Sequence, residues 1–165
     1  MRRRWFGFLC LGLLIGLNAC GQGISKQIRS QVTFSGPFRQ LQEGPERYVG
    51  EMAILGGKII EVRPLDNGTE LMVLQLELDG SDRPQDNDQS QGRFLVHSDQ
   101  FLDPAIYAAG TLITAVGRVK GSEQRYIGQM AYRYPTLAME EIKKWPQTTE
   151  SYPRFHFGIG VGKTF

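Results

Sequence analysis

From position 52 to 145 the chain is dominated by alternation of apolar and polar residues. A period of two predicts half-buried strands. In Met52 to Val62, one face carries Met52, Ile54, Ile60 and Val62 and the other carries Leu55 and Ile59. Gly56-Gly57 between them marks a bulge or sharp bend. Asp66-Asn67-Gly68 predicts a hairpin turn. The run Leu71 to Leu78 follows, with Met72, Leu74, Leu76 and Leu78 on its buried face and Gln75 and Glu77 opposite. Residues 79 to 91 are polar and include Pro84, which predicts a loop, and Arg93 to His97 resumes as a strand with Phe94 and Val96 facing inward.

Helical signals interrupt this pattern in two places. Pro45 to Gly50 has proline at the start and glycine at the end of a short helical turn. Asp103-Pro104-Ala105-Ile106-Tyr107-Ala108-Ala109-Gly110 predicts a helix of about two turns, with Asp103 as cap, Pro104 at the first position and Gly110 at the stop. Thr111 to Lys120 then predicts a fourth strand with a break at Gly117, and Gly121 opens a turn. Tyr126 to Tyr132 and Leu137 to Trp145 predict further strands, the second beginning after Pro135; Val32 and Phe34 suggest a short edge strand upstream. The expected fold is mainly β: a small OB-like barrel of five to six strands, with one short helix between strands 3 and 4. Closure removes exposed sheet edges.

The two ends of the chain follow different patterns. Arg2, Arg3 and Arg4 precede an apolar run from Trp5 to Leu17 that closes on Leu17-Asn18-Ala19-Cys20. A basic start, a short apolar stretch and small residues before a cleavage point mark an export signal. The run is about 13 residues, short of the roughly 20 that span a bilayer as a helix. An aliphatic residue three before a cysteine and a small residue just before it fit a lipobox, with Cys20 becoming the acylated first residue of the mature protein, carrying palmitate or similar chains. Thiolate sulfur is the nucleophile such acylation needs. The alternative is an ordinary secretory signal with a chance cysteine, and Arg2-Arg3-Arg4-Trp5-Phe6 also resembles a twin-arginine signal. Two or three chains would hold far more firmly than the marginal binding of one. Gly21, by resemblance to the sorting pattern of Gram-negative lipoproteins, points to the outer membrane. At the other end, Tyr152 and Phe155 precede Phe157, Ile159 and Val161, which alternate with Gly158, Gly160 and Gly162 before the final Phe165. This tail reads as an extra strand or loose tail on the domain, or as a segment contacting membrane or partner.

Composition changes the picture once the signal is removed. Lys and Arg number 19 against 17 Asp and Glu, and losing the three arginines turns a net charge of +2 into −1. The basicity therefore offers no argument for nucleic acid or anionic lipid. Cys10 lies within the signal, so Cys20 would be the single cysteine of the mature chain, which excludes an intramolecular disulfide.

Several spaced pieces together resemble the Slp family of outer-membrane lipoproteins, named for induction by starvation. They are Pro45-Glu46-Arg47-Tyr48-Val49-Gly50, Gly56-Gly57-Lys58-Ile59-Ile60, Gly92-Arg93-Phe94-Leu95, Phe101-Leu102-Asp103-Pro104, then Tyr107, Gly110, Gly117 and Trp145. The resemblance runs from about 38 to 146, besides the signal. It implies an outer-membrane lipoprotein linked to starvation or stationary-phase stress, with no established enzymatic activity. The tail departs in detail from the Tyr-rich ends associated with that family. The expected organisation is a signal peptide at 1–19, a tether at 20–38, an Slp-like β-barrel domain at 39–146 and an aromatic and glycine-rich tail at 147–165.

Candidate chemistry is sparse. His97 with Asp99 and Asp103 matches no metal-ligand spacing, and Asp103 is accounted for as a cap. Asp86 to Ser90 begins like a calcium loop but places Gln91 where glycine belongs and His97 where glutamate belongs. Cys20 would be blocked as a nucleophile, no serine sits in a Gly-x-Ser-x-Gly setting, and Glu140-Glu141 reads as a solvated pair. OB barrels bind single strands through aromatic and basic side chains, and Tyr126, Tyr132, Tyr134, Arg125 and Arg133 offer such a mixture. The location and near-zero charge argue against nucleic acid; the same surface suits a glycan or peptide. Expected sites are therefore lipidation at Cys20, with no catalytic residue, no metal and no cofactor. The expected partners are the membrane, through Cys20, and an envelope protein. The expected function is a non-enzymatic outer-membrane lipoprotein that supports the envelope under starvation. The alternatives are a periplasm-facing binding module for a small ligand, glycan or peptide, and a hydrolase of envelope polymers.

Overall fold

The computed structural model describes residues 23–146. The proposed signal and Cys20, and the tail at 147–165, lie outside the described residues. The chain begins with a helical turn α1 (Lys26–Arg29), then helix α2 (Phe38–Glu43) and a 3-10 turn (Pro45–Tyr48). Five strands follow: β1 (Met52–Leu65), β2 (Gly68–Leu76), β3 (Arg93–Ser98), β4 (Leu112–Ile127) and β5 (Met130–Lys144). They close in the order β1-β2-β3-β5-β4, the expected mainly β, OB-like barrel. Every pairing is antiparallel except β3 with β5.

The hairpin at Asp66-Asn67-Gly68 forms as the sequence predicts, with Leu65 paired to Gly68. Gly68 has φ +145°, and a Cβ there would overlap the Ser98 carbonyl oxygen. Glycine is required on both counts.

The inward face of β2 is the reverse of the expected one, and of the two apolar faces of β1 it is that of Leu55 and Ile59 that turns inward. Ala53, Leu55 and Ile59 of β1, with Leu71 and Val73 of β2, enter the main core beside Phe94, Val96, Ile113 and Leu137. Met52 and Ile54 turn outward and pack under the N-terminal segment with Ile24 and Val116. Leu76 joins Leu112 and Trp145 in a third cluster. Because apolar residues cover both sides of the wall, hydrophobicity alone does not distinguish inside from outside. The predicted bulge exists, but between Ile59 and Glu61 rather than at the paired glycines. Gly57 instead lets Val73 and the Leu74 carbonyl approach where a Cβ would collide.

The helix expected between strands 3 and 4 is reduced to a single turn. Asp103 caps as predicted, accepting from the Ala105 N–H at 2.8 Å, and its carbonyl accepts from Ile106 and Tyr107. The chain then returns to β1: Gly110 donates to the Ile59 carbonyl, and Ile59 donates to the Thr111 carbonyl. So short a helix has little intrinsic stability, and pairing with β1 outcompetes its second turn.

Three expected interruptions are absorbed into long strands. β4 runs through Gly117 and Gly121, which sit at register shifts, and β5 runs through Pro135. Pro135 lies opposite Ser122, one position before β5 begins pairing with β3 at Thr136. Proline is tolerated where a ladder is interrupted. The expected separate strands at 126–132 and 137–145 are therefore one strand and the hairpin leading into it.

The described part of the stretch read as a tether is docked. Ile24 and Phe34 are buried, and Ser25 donates to Glu141 from its N–H at 2.8 Å and its Oγ at 2.5 Å. The Thr33 and Phe34 amides both donate to the Met52 carbonyl, so no edge strand forms there.

Candidate functional site

The largest concentration of charge among the described residues centres on Glu70 of β2. The two-residue turn sets Arg63 of β1 directly across from it, and β3 places His97 on its other side. The β4–β5 hairpin extends past the point where β1 stops pairing, at Arg118, and brings Glu123 and Arg125 to the same spot. Arg125 grips Glu70 with two hydrogen bonds, Nη1 to Oε1 at 2.8 Å and Nη2 to Oε2 at 2.5 Å. Arg63 donates to Oε1 at 2.6 Å, and His97 Nε2 lies 3.1 Å from Oε2. Glu123 accepts from Arg125 Nη2 at 2.7 Å and lies 3.3 Å from His97.

Only 4% of Glu70 is exposed. Burial alone pushes its carboxyl pKa up, but hydrogen bonding to Arg125 and the charges of Arg125, Arg63 and His97 outweigh burial and hold it below the usual range. The hydrogen bonds that Arg125 donates to Glu70 raise the Arg125 pKa above the ordinary arginine value, against the opposing effect of burial.

Ligand atoms of Glu70, His97 and Glu123 lie within 4.8 Å of one another, a spacing that suits a metal ion. The donor set answers differently. Both Glu70 oxygens already accept from guanidiniums, and two carboxylates against two arginines are already neutral. A divalent ion would bring an uncompensated double charge to this place. The geometry does the work of an ionic clasp between hairpin and barrel, for which the planar arginine fork is suited.

The sequence-derived candidates are dispersed. His97 faces Glu70 and Glu123 rather than Asp99 and Asp103. Asp86 of the calcium-like loop pairs with Lys58, and the Asn87 side chain accepts from the Gln89 amide at 3.1 Å. Of the aromatic and basic mixture, Arg125 is held by the clasp and Tyr134 is buried. Tyr132 accepts from the Arg93 amide at 2.8 Å and meets Tyr134 edge-on at 4.7 Å. Tyr126 and Arg133 stay exposed. Glu141 holds Ser25, and Glu140 lies 4.0 Å from Arg118, so these two carboxylates have separate duties. A shallow pocket between the 103–110 turn and the end of β5 is lined by Ile106, Thr111, Lys144 and Trp145. Its Trp145 donates to Thr114 at 2.9 Å.

Sequence reasoning missed Glu70 and Glu123, which stand 27 and 26 positions from His97. The one available signal was the Asn-Gly turn, whose register sets Arg63 opposite Glu70.

The family model "Outer membrane lipoprotein Slp family" matches residues 17–160. The outer membrane protein Slp of Escherichia coli (strain K12) is 31% identical over 160 residues, covering 94% of this chain and 84% of that protein. The lipoprotein YeaY of the same strain is 31% identical over 111 residues, 67% of this chain; the match spans 57% of YeaY's length. Among solved structures, a small single-stranded DNA-binding protein from Streptomyces coelicolor aligns over 58% of this chain and 94% of its own, at 16% identity and a TM-score of 0.36.

Proposed function

This chain belongs to the outer membrane lipoprotein Slp family, and from that membership we propose that it is anchored through acylated Cys20 and presents its barrel to the periplasm as a non-enzymatic support of the envelope in starvation or stationary phase. The observation that carries the non-enzymatic reading is the saturated clasp around Glu70. Its carboxylates are committed to arginines, and its histidine lies between carboxylates rather than beside a nucleophile. Support for the anchor comes from Leu17-Asn18-Ala19-Cys20, which lies inside the stretch matched by the family model. The working interface in this reading is with another envelope component.

The test compares cells lacking the protein with cells restored by the wild type or by Cys20→Ser, all held in stationary phase and challenged with detergent. Sensitivity corrected by the wild type but not by Cys20→Ser supports the reading. Equal survival of all three strains overturns the stress role. Capture of the acylated protein from membranes then identifies its envelope partner.

A second reading, a binding module for a small ligand, is favoured by the pocket beside Trp145. Saturable quenching of Trp145 fluorescence by a periplasmic glycan or peptide would support it. Trp5 leaves with the signal, so Trp145 is the sole tryptophan of the mature chain.

A further inference from the structure

The span between the anchor residue and the barrel is too short to act as a free tether. Cys20 stands four positions before Ile24, and extended chain of that length reaches about 14 Å. Ile24 is buried on the outer wall of the barrel with Met52 and Val116. The attachment is fixed from several directions: Ser25 to Glu141, Arg29 to Asp82, and the Thr33 and Phe34 amides to Met52.

We propose that the wall formed by α1 and the adjoining parts of β1, β4 and β5 is a membrane-docking surface, held against the phospholipid headgroups of the leaflet that carries the Cys20 acyl chains. The proposal rests on the acylation of Cys20. Its geometric basis is the point of attachment: the four residues after Cys20 end on this wall and nowhere else on the barrel. Lys26 is exposed on α1, and Arg118, paired across from Met52 and exposed on β4, donates to the Gly50 carbonyl at 2.9 Å and lies 4.0 Å from Glu140, so the orientation rests on the point of attachment rather than on an excess of positive charge. The β1–β2 turn at Asn67 is separated from this wall by the length of β1 and stays in water.

The test uses the acylated protein reconstituted in vesicles of phosphatidylethanolamine and phosphatidylglycerol. Cys20 is blocked and Cys10 is removed, so an introduced cysteine takes a spin label uniquely. Labels go on Lys26→Cys, Gln27→Cys and Asn67→Cys, all at exposed positions. The expected result is severalfold lower accessibility to a water-soluble nickel chelate at 26 and 27 than at 67, with collisions with membrane-dissolved oxygen raised correspondingly. Vesicle-bound protein with equal accessibility at all three positions overturns the docked orientation alone. Protein that fails to stay with the vesicles removes the anchor and the docking surface together.

Discussion

Arg125 and Glu70 are 55 positions apart and meet through two parallel hydrogen bonds of 2.8 and 2.5 Å. The pair joins the β4–β5 hairpin to the β2 strand of the barrel. Removing the guanidinium leaves a buried carboxylate with Arg63 as its remaining arginine. Arg125→Ala is expected to cost about 2 kcal/mol, with Arg125→Lys recovering only part because it cannot form the fork. Urea unfolding measures both. Glu70→Gln combined with Arg125→Met is expected to cost less than the two single changes added, since neither partner is then left unpaired.

The same carboxyl makes stability depend on pH. Its folded pKa lies below the ordinary value of about 4.3. The contribution is therefore fully present above that ordinary value and is lost as pH falls through the folded one. Glu46 and Asp79 are lowered too, by hydrogen bonds from Ser122 and Ser81 respectively, so the wild type is compared with Glu70→Gln rather than read alone. Unfolding midpoints should converge for the two proteins in acid and separate toward neutral pH.

Much of this architecture is legible in the sequence, for reasons particular residues make plain. Asp66-Asn67-Gly68 fixes a two-residue turn at Asp66-Asn67, with Gly68 paired to Leu65, and the turn fixes the register that opposes Arg63 to Glu70. Phe94 and Val96 point inward as their alternation predicts. The faces of β1 and β2 are not legible, because Met52, Ile54 and Leu76 pack beneath elements laid over the outside of the barrel. Gly121 and Pro135 signal breaks in any local reading, yet Gly121 sits where the long strands shift register and Pro135 pairs with Ser122 just beside that shift. The clasp itself depends on Glu123 and Arg125 arriving from a distant hairpin, which no spacing announces.

Gly68 provides a test of register. Its positive φ and the Ser98 carbonyl beside it both oppose a side chain. Gly68→Val is expected to destabilise by about 3 kcal/mol. Thermal unfolding checks it, and Asn67→Ala serves as the mild control because it leaves the contact with Ser98 untouched.

Docking of the N-terminal segment predicts protease resistance. Ile24 is 7% exposed, and Ile24→Asp places an unpaired charge in its site. The variant should be cut by trypsin after Lys26 and Arg29 much faster than the wild type, while the barrel keeps its circular dichroism. Equal cleavage rates would mean that the segment is released in solution.

The proposed anchoring depends on the chemistry of one thiol. The direct measurement is mass spectrometry of the amino-terminal peptide from protein in outer-membrane fractions of cells fed isotopically labelled palmitate. The predicted result is a peptide beginning at Cys20 that carries labelled acyl chains, absent from Cys20→Ser. A wild-type protein that begins at another residue and carries no fatty acid contradicts it.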